Sequence, residues 1–286
     1  MPQIPYHLKL PDDFSCGVVF ASPHSGRHYT DSFLTQAVLN AQILRSSEDA
    51  FVDQLFACAP DYGCPLLHAN MPRAYVDLNR KLTDLDAAVI EDVAQSAFNP
   101  RVLSGLGVIP RVVANSREIY RGKLTMAEAV RRLDAYWWPY HTRLHSLLSD
   151  AQTKFGQALL IDCHSMPREA LDSIFSPGNK RPEIVLGDRF GASASPPVIE
   201  RIQRILTGVG FAVSRNMPFA GAHIVQHYGR PAENQHAVQL EIDRSLYMNE
   251  ATLVPHDGFA ELSERLQLVV AQIADFGREV TRLAAE

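Results

Sequence analysis

The sequence predicts an α/β protein with a mixed, mostly parallel central sheet, and its patterning carries that expectation in three ways. Short apolar runs alternate with longer amphipathic stretches, as βα units around a buried sheet require. Four of those runs, at residues 17–21 (GVVFA), 66–69 (LLHA), 158–162 (ALLID) and 237–242 (AVQLEI), read as strands covered on both faces. Finally, His, Asp and Glu fall at or just beyond the strand ends, the edge at which open α/β sheets bind ligands.

Helices are expected between the strands. One begins at Ser46 or Ser47, whose hydroxyls can cap it, with Glu48 and Asp49 at the positive end of its dipole and Phe51, Val52, Leu55 and Phe56 as its buried stripe. A second starts at Thr125 with a capping box to Glu128 and runs through Trp137 and Trp138, kinked by Pro139. The last starts near Asp257 and buries Phe259, Leu262, Leu266, Val269, Ile273 and Phe276. The segments 178–182 (GNKRP) and 187–197 (GDRFGASASPP) read as mobile surface loops, one of them a cover for the site, and residues 1–286 as a single domain.

Composition narrows the function classes. Of 286 residues, 46% are hydrophobic and 21% charged, enough apolar area for a sizeable core. A net charge of -5 gives no global basic field, so nucleic acid is not an expected partner. No run approaches the roughly 18 apolar residues of a membrane span, and the start MPQIPYHLKLPDD has no basic and apolar leader pattern, so a cytoplasmic location is expected. Cys16, Cys58, Cys64 and Cys163 are too irregular for a disulfide framework or a CxxC metal site and read as buried thiols.

The polar strand ends point to chemistry. The run GVVFA leads into Ser22-Pro23-His24-Ser25-Gly26, where Pro and Gly bracket a His in a tight turn, and ALLID delivers His164 just past its end with Asp162 near enough to orient it. Catalytic zinc takes three protein ligands, often two His and a carboxylate, and keeps a position open for water. His24 and His164 supply imidazoles, and the Glu48-Asp49 pair supplies the carboxylate. Glu241, between Leu240 and Ile242 on a core strand, is costly to bury unless it is used, and its expected work is that of general base and acid. His141 and His145 have the i, i+4 spacing of a metalloprotease helix, but Thr142 stands where the catalytic Glu would be. His227 is a possible active-site donor; His236 reads as a surface residue, and His28, His68 and His256 read as structural. In residues 71–80 (MPRAYVDLNR), Arg73 and Arg80 either fork onto substrate carboxylates or form a salt-bridged connection through Asp77.

The motifs SPHSG at 22–26, EDAFVDQLF at 48–56, PRAYVDLNR at 72–80, DCHSMP at 162–167, HYGRP at 227–231 and QLEIDRSLYM at 239–248 occur in one order over most of the chain. In this the sequence resembles the N-formylglutamate amidohydrolase family, which is similar in turn to zinc carboxypeptidases and peptidoglycan amidases. The resemblance implies a three-layer phosphorylase/hydrolase-like fold and one zinc ion held by His24, Asp49 and His164, with Glu48 as alternative ligand. It also implies catalysis by Glu241 and binding of a small acidic N-acyl amino acid by Arg73, Asn79 and Arg80, to which His227 and Arg244 are added as candidates. The implied reaction is hydrolysis of N-formyl-L-glutamate to formate and L-glutamate, in histidine degradation.

Three rival readings make different demands. A zinc amidase or carboxypeptidase acting on another N-acyl amino acid or a peptide would share the scaffold. A dimanganese formimidoylglutamate hydrolase expects D-x-H-x-D, whereas Met166 follows Asp162-Cys163-His164-Ser165. A small-molecule-binding protein on the same fold would hold no metal.

Overall fold

The computed structural model describes residues 4–94, 99–172 and 181–284. Contacts divide the chain into two compact units interleaved along the sequence. One comprises the residues up to His7 with Pro23–Ala50 and His68–Arg143; the other comprises Leu8–Ser22, Phe51–Leu67 and the chain from Leu144 onward.

A seven-stranded sheet is formed by β1 (Tyr6–Lys9), β2 (Val18–Ser22), β3 (Leu66–Ala69), β4 (Ala158–Met166), β5 (Ile184–Gly187), β6 (Val213–Arg215) and β7 (Gln235–Asp243). Their order across the sheet is β1-β3-β2-β4-β7-β5-β6. β4 pairs in parallel with both β2 and β7, β5 pairs in parallel with β6, and β5 runs antiparallel to β7, so the sheet is mixed and mostly parallel, as the patterning predicts. Every residue of β2, β4 and β5 is buried, the physical reason those runs show no polar alternation. The third and fourth runs extend beyond their apolar cores: β4 continues through His164 to Met166, because ladder bonds to β7 continue there, so His164 stands within the strand and not past its end.

Two amphipathic helices supply much of the apolar cover. Pro196–Gly208 begins with two prolines, whose missing N–H groups cost nothing in a first turn, and buries Val198, Ile199, Ile202, Ile205 and Leu206. Gly258–Ala284 buries Leu262, Leu266, Val269, Val270, Ile273 and Ala274, each such side chain contributing about 1.5–3 kcal/mol where burial is complete and the residue large. A Cβ on Gly277 would sit 2.6 Å from Val18 Cγ2, so glycine lets this helix close onto β2.

The segment 187–197 is an irregular connection at the surface, as expected, with Phe190 75% exposed and with Asp188 and Ser193 anchoring it to the core. Asp188 is fully buried, accepts from Asn216 Nδ2 at 2.6 Å and Arg215 Nη2 at 3.0 Å, and Ser193 Oγ donates to the Ala237 carbonyl at 2.8 Å. Of the other expected loop, residues 178–180 lie outside the described residues. His236, expected at the surface, is instead 6% exposed on β7, and its Nδ1 accepts the Ser195 N–H at the start of Pro196–Gly208.

In the other unit, the predicted cap at Thr125 is present: its side chain accepts from the Glu128 N–H at 3.2 Å and opens the helix Met126–Arg132. Pro139 acts one turn earlier than a simple kink. Having no N–H and a ring that crowds the preceding turn, it is accommodated by a π turn at Leu133–Trp137, in which the Trp138 N–H reaches back to the Leu133 carbonyl before the helix resumes as Trp138–Phe155.

The helix expected from Ser46 or Ser47 begins instead at Val52. Both serine hydroxyls donate backward, Ser46 to the Ile43 carbonyl at 2.6 Å and Ser47 to the Leu44 carbonyl at 3.2 Å, and so close the preceding turn instead of capping a helix. Glu48 and Asp49 therefore lie in the connection before the helix.

Burial holds the His236 imidazole below its ordinary value, and a proton on Nδ1 would remove the acceptor of the Ser195 N–H. In the interval between the folded value and the unfolded value of about 6.5, the unfolded chain carries a proton that the folded chain lacks. Stability is therefore full above about pH 6.5 and falls as pH drops. Thermal melts from about pH 7.5 to about pH 5 should show a smaller loss of Tm in His236→Gln, whose amide oxygen still accepts, than in the wild type.

Candidate metal centre and active site

β2 ends at Ser22, and the chain turns through Pro23, His24 and Ser25 to Gly26. Gly26 is required by space: a Cβ there would overlap the Met71 backbone and lie 2.9 Å from the Asn70 carbonyl carbon. His24 is 2% exposed. Its Nε2–H donates to Asp77 Oδ1 at 2.7 Å, and Nδ1 faces Asp49 Oδ2 at 3.4 Å. With Nε2 committed to a carboxylate, Nδ1 is the nitrogen that can ligate. Asp49 is fixed at its backbone, where its N–H donates to the His24 carbonyl at 3.0 Å.

Glu48 faces other partners. Its carboxylate accepts from Tyr29 OH at 2.7 Å and from Arg45 Nε at 3.2 Å; burial pushes its carboxyl up, and these bonds oppose the shift. It braces the turn that carries Asp49.

Asp77 is the residue that sequence reasoning cast only as a salt-bridge partner. Oδ1 accepts from His24 and from the Asn79 N–H at 2.8 Å, and Oδ2 accepts from Arg73 Nη2 at 2.9 Å with Arg80 Nη2 at 3.9 Å. Burial would push this carboxyl up; the charges of His24, Arg80 and Arg73 and the His24 hydrogen bond outweigh it and hold it well below the carboxylate range. Arg80 also donates from Nε to the Leu106 carbonyl at 2.9 Å and from Nη1 to the Asn79 carbonyl at 2.8 Å. The salt-bridged connection weighed for residues 71–80 is therefore present, with both arginines converging on Asp77. Trp137 Nε1 donates to the Arg80 carbonyl at 3.0 Å and His141 Nε2 to the Leu78 carbonyl at 2.8 Å, so the π turn pins this segment and His141 is structural.

On the sheet, the register does the positioning. His164 of β4 and Glu241 of β7 are direct partners in a parallel ladder, so their side chains leave the same face; Asp162 and Gln239 are the next pair on that face. His164 Nε2 lies 3.0 Å from Asp162 Oδ2, without hydrogen-bond alignment. Glu241, 7% exposed, accepts at Oε1 from Gln239 Nε2 at 2.8 Å, while Gln239 Oε1 accepts the Ala222 N–H at 3.0 Å just before the helix His223–Tyr228. A glutamine two residues before a buried glutamate shares its face by strand periodicity, the signal by which Gln239 could have been found. Arg244 is buried and donates from Nε to Ser165 Oγ at 3.1 Å. His227 is exposed, its ring 5.3 Å from that of His223.

His24, Asp49 and His164 are all buried, and each offers a ligand atom within 4.8 Å of the others. Tetrahedral ligands about 2.1 Å from one ion stand about 3.4 Å apart; His24 Nδ1 and Asp49 Oδ2 already have that separation, and the widest pair would draw in by no more than about 1.4 Å. Two imidazoles and a carboxylate, buried and braced by further carboxylates, fit a divalent metal. Among the described residues, no helix is long and apolar enough to cross a membrane.

Known proteins share the sequence and fold of this chain over most of its length. The N-formylglutamate deformylase of Pseudomonas putida is 32% identical over 257 residues, 90% of each chain, and that of Pseudomonas aeruginosa is 29% identical over 269 residues, 92% of this chain and 94% of the relative. The crystal structure of N-formylglutamate amidohydrolase from Ralstonia eutropha JMP134 superposes with a TM-score of 0.90 at 38% identity, covering 96% of this chain and 99% of that one. The family model described as N-formylglutamate amidohydrolase matches residues 16–248, and the chain belongs to that family.

Proposed function

We propose that this protein is a zinc-dependent deformylase that hydrolyses N-formyl-L-glutamate to formate and L-glutamate, a reaction that serves histidine breakdown. The observation that carries the reading is the buried cluster of His24, Asp49 and His164, with Glu241 in register beside His164. The names of the relatives support the substrate.

His24, Asp49 and His164 would hold the ion. When bound, zinc supplies Lewis acidity toward the formyl oxygen and lowers the pKa of water. Asp77 keeps the His24 imidazole in one orientation and one tautomer. Glu241 takes the proton of the attacking water at its carboxylate and returns it to the leaving nitrogen, which departs as the amine of glutamate. The bond from Gln239 Nε2 holds Glu241 in place. Arg73, Arg80 and Arg244, helped by Asn79 and His227, bind the two substrate carboxylates, and the fixed bonds of Arg73 and Arg80 to Asp77 and to backbone carbonyls preorganise those guanidinium groups.

The test is formate release from N-formyl-L-glutamate, with N-formyl-L-aspartate and N-acetyl-L-glutamate as competing substrates. Activity should disappear on chelation and return with zinc. No release from the first substrate by zinc-loaded protein would assign the same machinery to another acyl group.

Two variants separate the roles. Glu241→Gln should retain zinc by elemental analysis and lose about 10²–10⁴ in kcat; an unchanged kcat would remove Glu241 from the proton path. Asp77→Asn should weaken zinc binding in a chelator competition by about 10–100-fold through the loosened His24 ring; unaltered affinity would leave Asp77 as a salt-bridge partner only.

A further inference from the structure

Two of the four cysteines form a cluster that the proposed hydrolysis does not use. Cys16 lies just before β2 and Cys64 just before β3, strands that neighbour each other in the sheet. Both side chains are fully buried, and their sulfurs are 3.0 Å apart. The backbone holds them face to face: the Ser15 N–H donates to the Gly63 carbonyl at 3.4 Å, and Gly63, at φ +82°, turns the chain where a side chain would strike Ser15. Arg278 clamps the same turn, donating to the Tyr62 carbonyl at 2.6 Å and to Ser15 Oγ at 3.3 Å.

We propose that Cys16 and Cys64 are a reversible oxidation site at which a hydroperoxide generates a disulfide stapling the starts of β2 and β3. The neighbouring Cys64 thiol and the Arg278 charge lower the Cys16 thiol, whereas Cys64 is pushed up, so Cys16 is the more readily deprotonated of the two. Its thiolate attacks the nearer oxygen of the hydroperoxide; the O–O bond breaks, the distal oxygen leaves with a proton as alcohol or water, and Cys16 becomes a sulfenic acid. The Cys64 sulfur then attacks Cys16; the S–S bond forms, the S–O bond breaks, and hydroxide departs with the Cys64 proton as water. In total the two thiols lose two electrons and two protons, and the hydroperoxide is reduced. Closing from 3.0 Å to a bond of about 2.05 Å asks for a movement of about 1 Å. Because both sulfurs are buried, oxidant enters through local opening and the reaction is slow. The covalent ring so formed contains His24 and Asp49.

The experiment uses the intact, reduced protein treated with hydrogen peroxide and mapped by mass spectrometry of non-reduced peptides. Cys58, which is half-buried, serves as the internal clock for oxidant access. The expected result is a Cys16–Cys64 cross-link, a loss of two hydrogens and a Tm raised by roughly 5–10 °C, all reversed by dithiothreitol. Cys16→Ser should abolish both the cross-link and the shift. The proposal is overturned if Cys58 becomes oxidised while Cys16 and Cys64 still alkylate as thiols after denaturation, or if the cross-link joins Cys58 to Cys64. Should Cys16→Ser not fold, the wild-type peptide map decides alone.

Discussion

The parallel pairing of β4 with its two neighbours is the constraint on which the site depends. In a parallel ladder every strand delivers its carboxyl end to the same edge, and a fixed register decides which side chains share a face there. With Ala21 opposite Asp162, the chain leaves β2 toward His24 at the level where β4 reaches His164; with His164 opposite Glu241, a metal-binding imidazole and a proton-carrying carboxylate stand side by side. A slip of one residue in either ladder would turn His164 or Glu241 to the opposite face. The fully buried strands that fix this register are the same ones whose apolar content supplies the core.

Around that register the protein spends carboxylates on holding imidazoles still. Asp77 binds His24, and Asp162 contacts His164. Asp77 in turn gathers Arg73, Arg80 and the Asn79 amide, so a single buried negative charge organises a candidate metal ligand and a candidate anion-binding segment together. A buried carboxylate without such partners would take up a proton; this one is kept charged by its contacts with His24, Arg80 and Arg73.

Much of this was legible in the sequence, and the failures have physical causes. Strand cores were visible because total burial removes polar alternation, but the extension of β4 to Met166 was hidden, since hydrogen bonding to β7 and not side-chain character carries the strand past Asp162. The serines at 46 and 47 were misassigned because a hydroxyl can cap a helix forward or close a turn backward, and composition is the same in both cases. His236 looked solvent-facing from polarity alone, yet it accepts a backbone amide, and within the surface segment 187–197 the buried Asp188 satisfies its charge on Asn216 and Arg215. His24 and His164 were marked as candidates by the polar ends of apolar runs and the Glu48-Asp49 pair by an expected helix start, with Asp49 singled out only by the family resemblance, whereas the bracing roles of Asp77 and Gln239 needed distances across the chain.

The π turn at Leu133–Trp137 has a consequence for how one helix addresses a distant segment. Arg132 before the turn donates to the Tyr75 carbonyl at 3.2 Å, and Trp137 and His141 donate to the carbonyls of Arg80 and Leu78. An uninterrupted α-helix advances about 100° per residue and would swing Arg132 away from the line shared by the other two. The wide turn absorbs the surplus rotation, so chain length at that point sets the phase of the whole wall. Replacing a side chain there trims one contact, but gaining or losing a single residue would rotate one half of the helix against the other and release the strip from Tyr75 to Arg80 at several points at once.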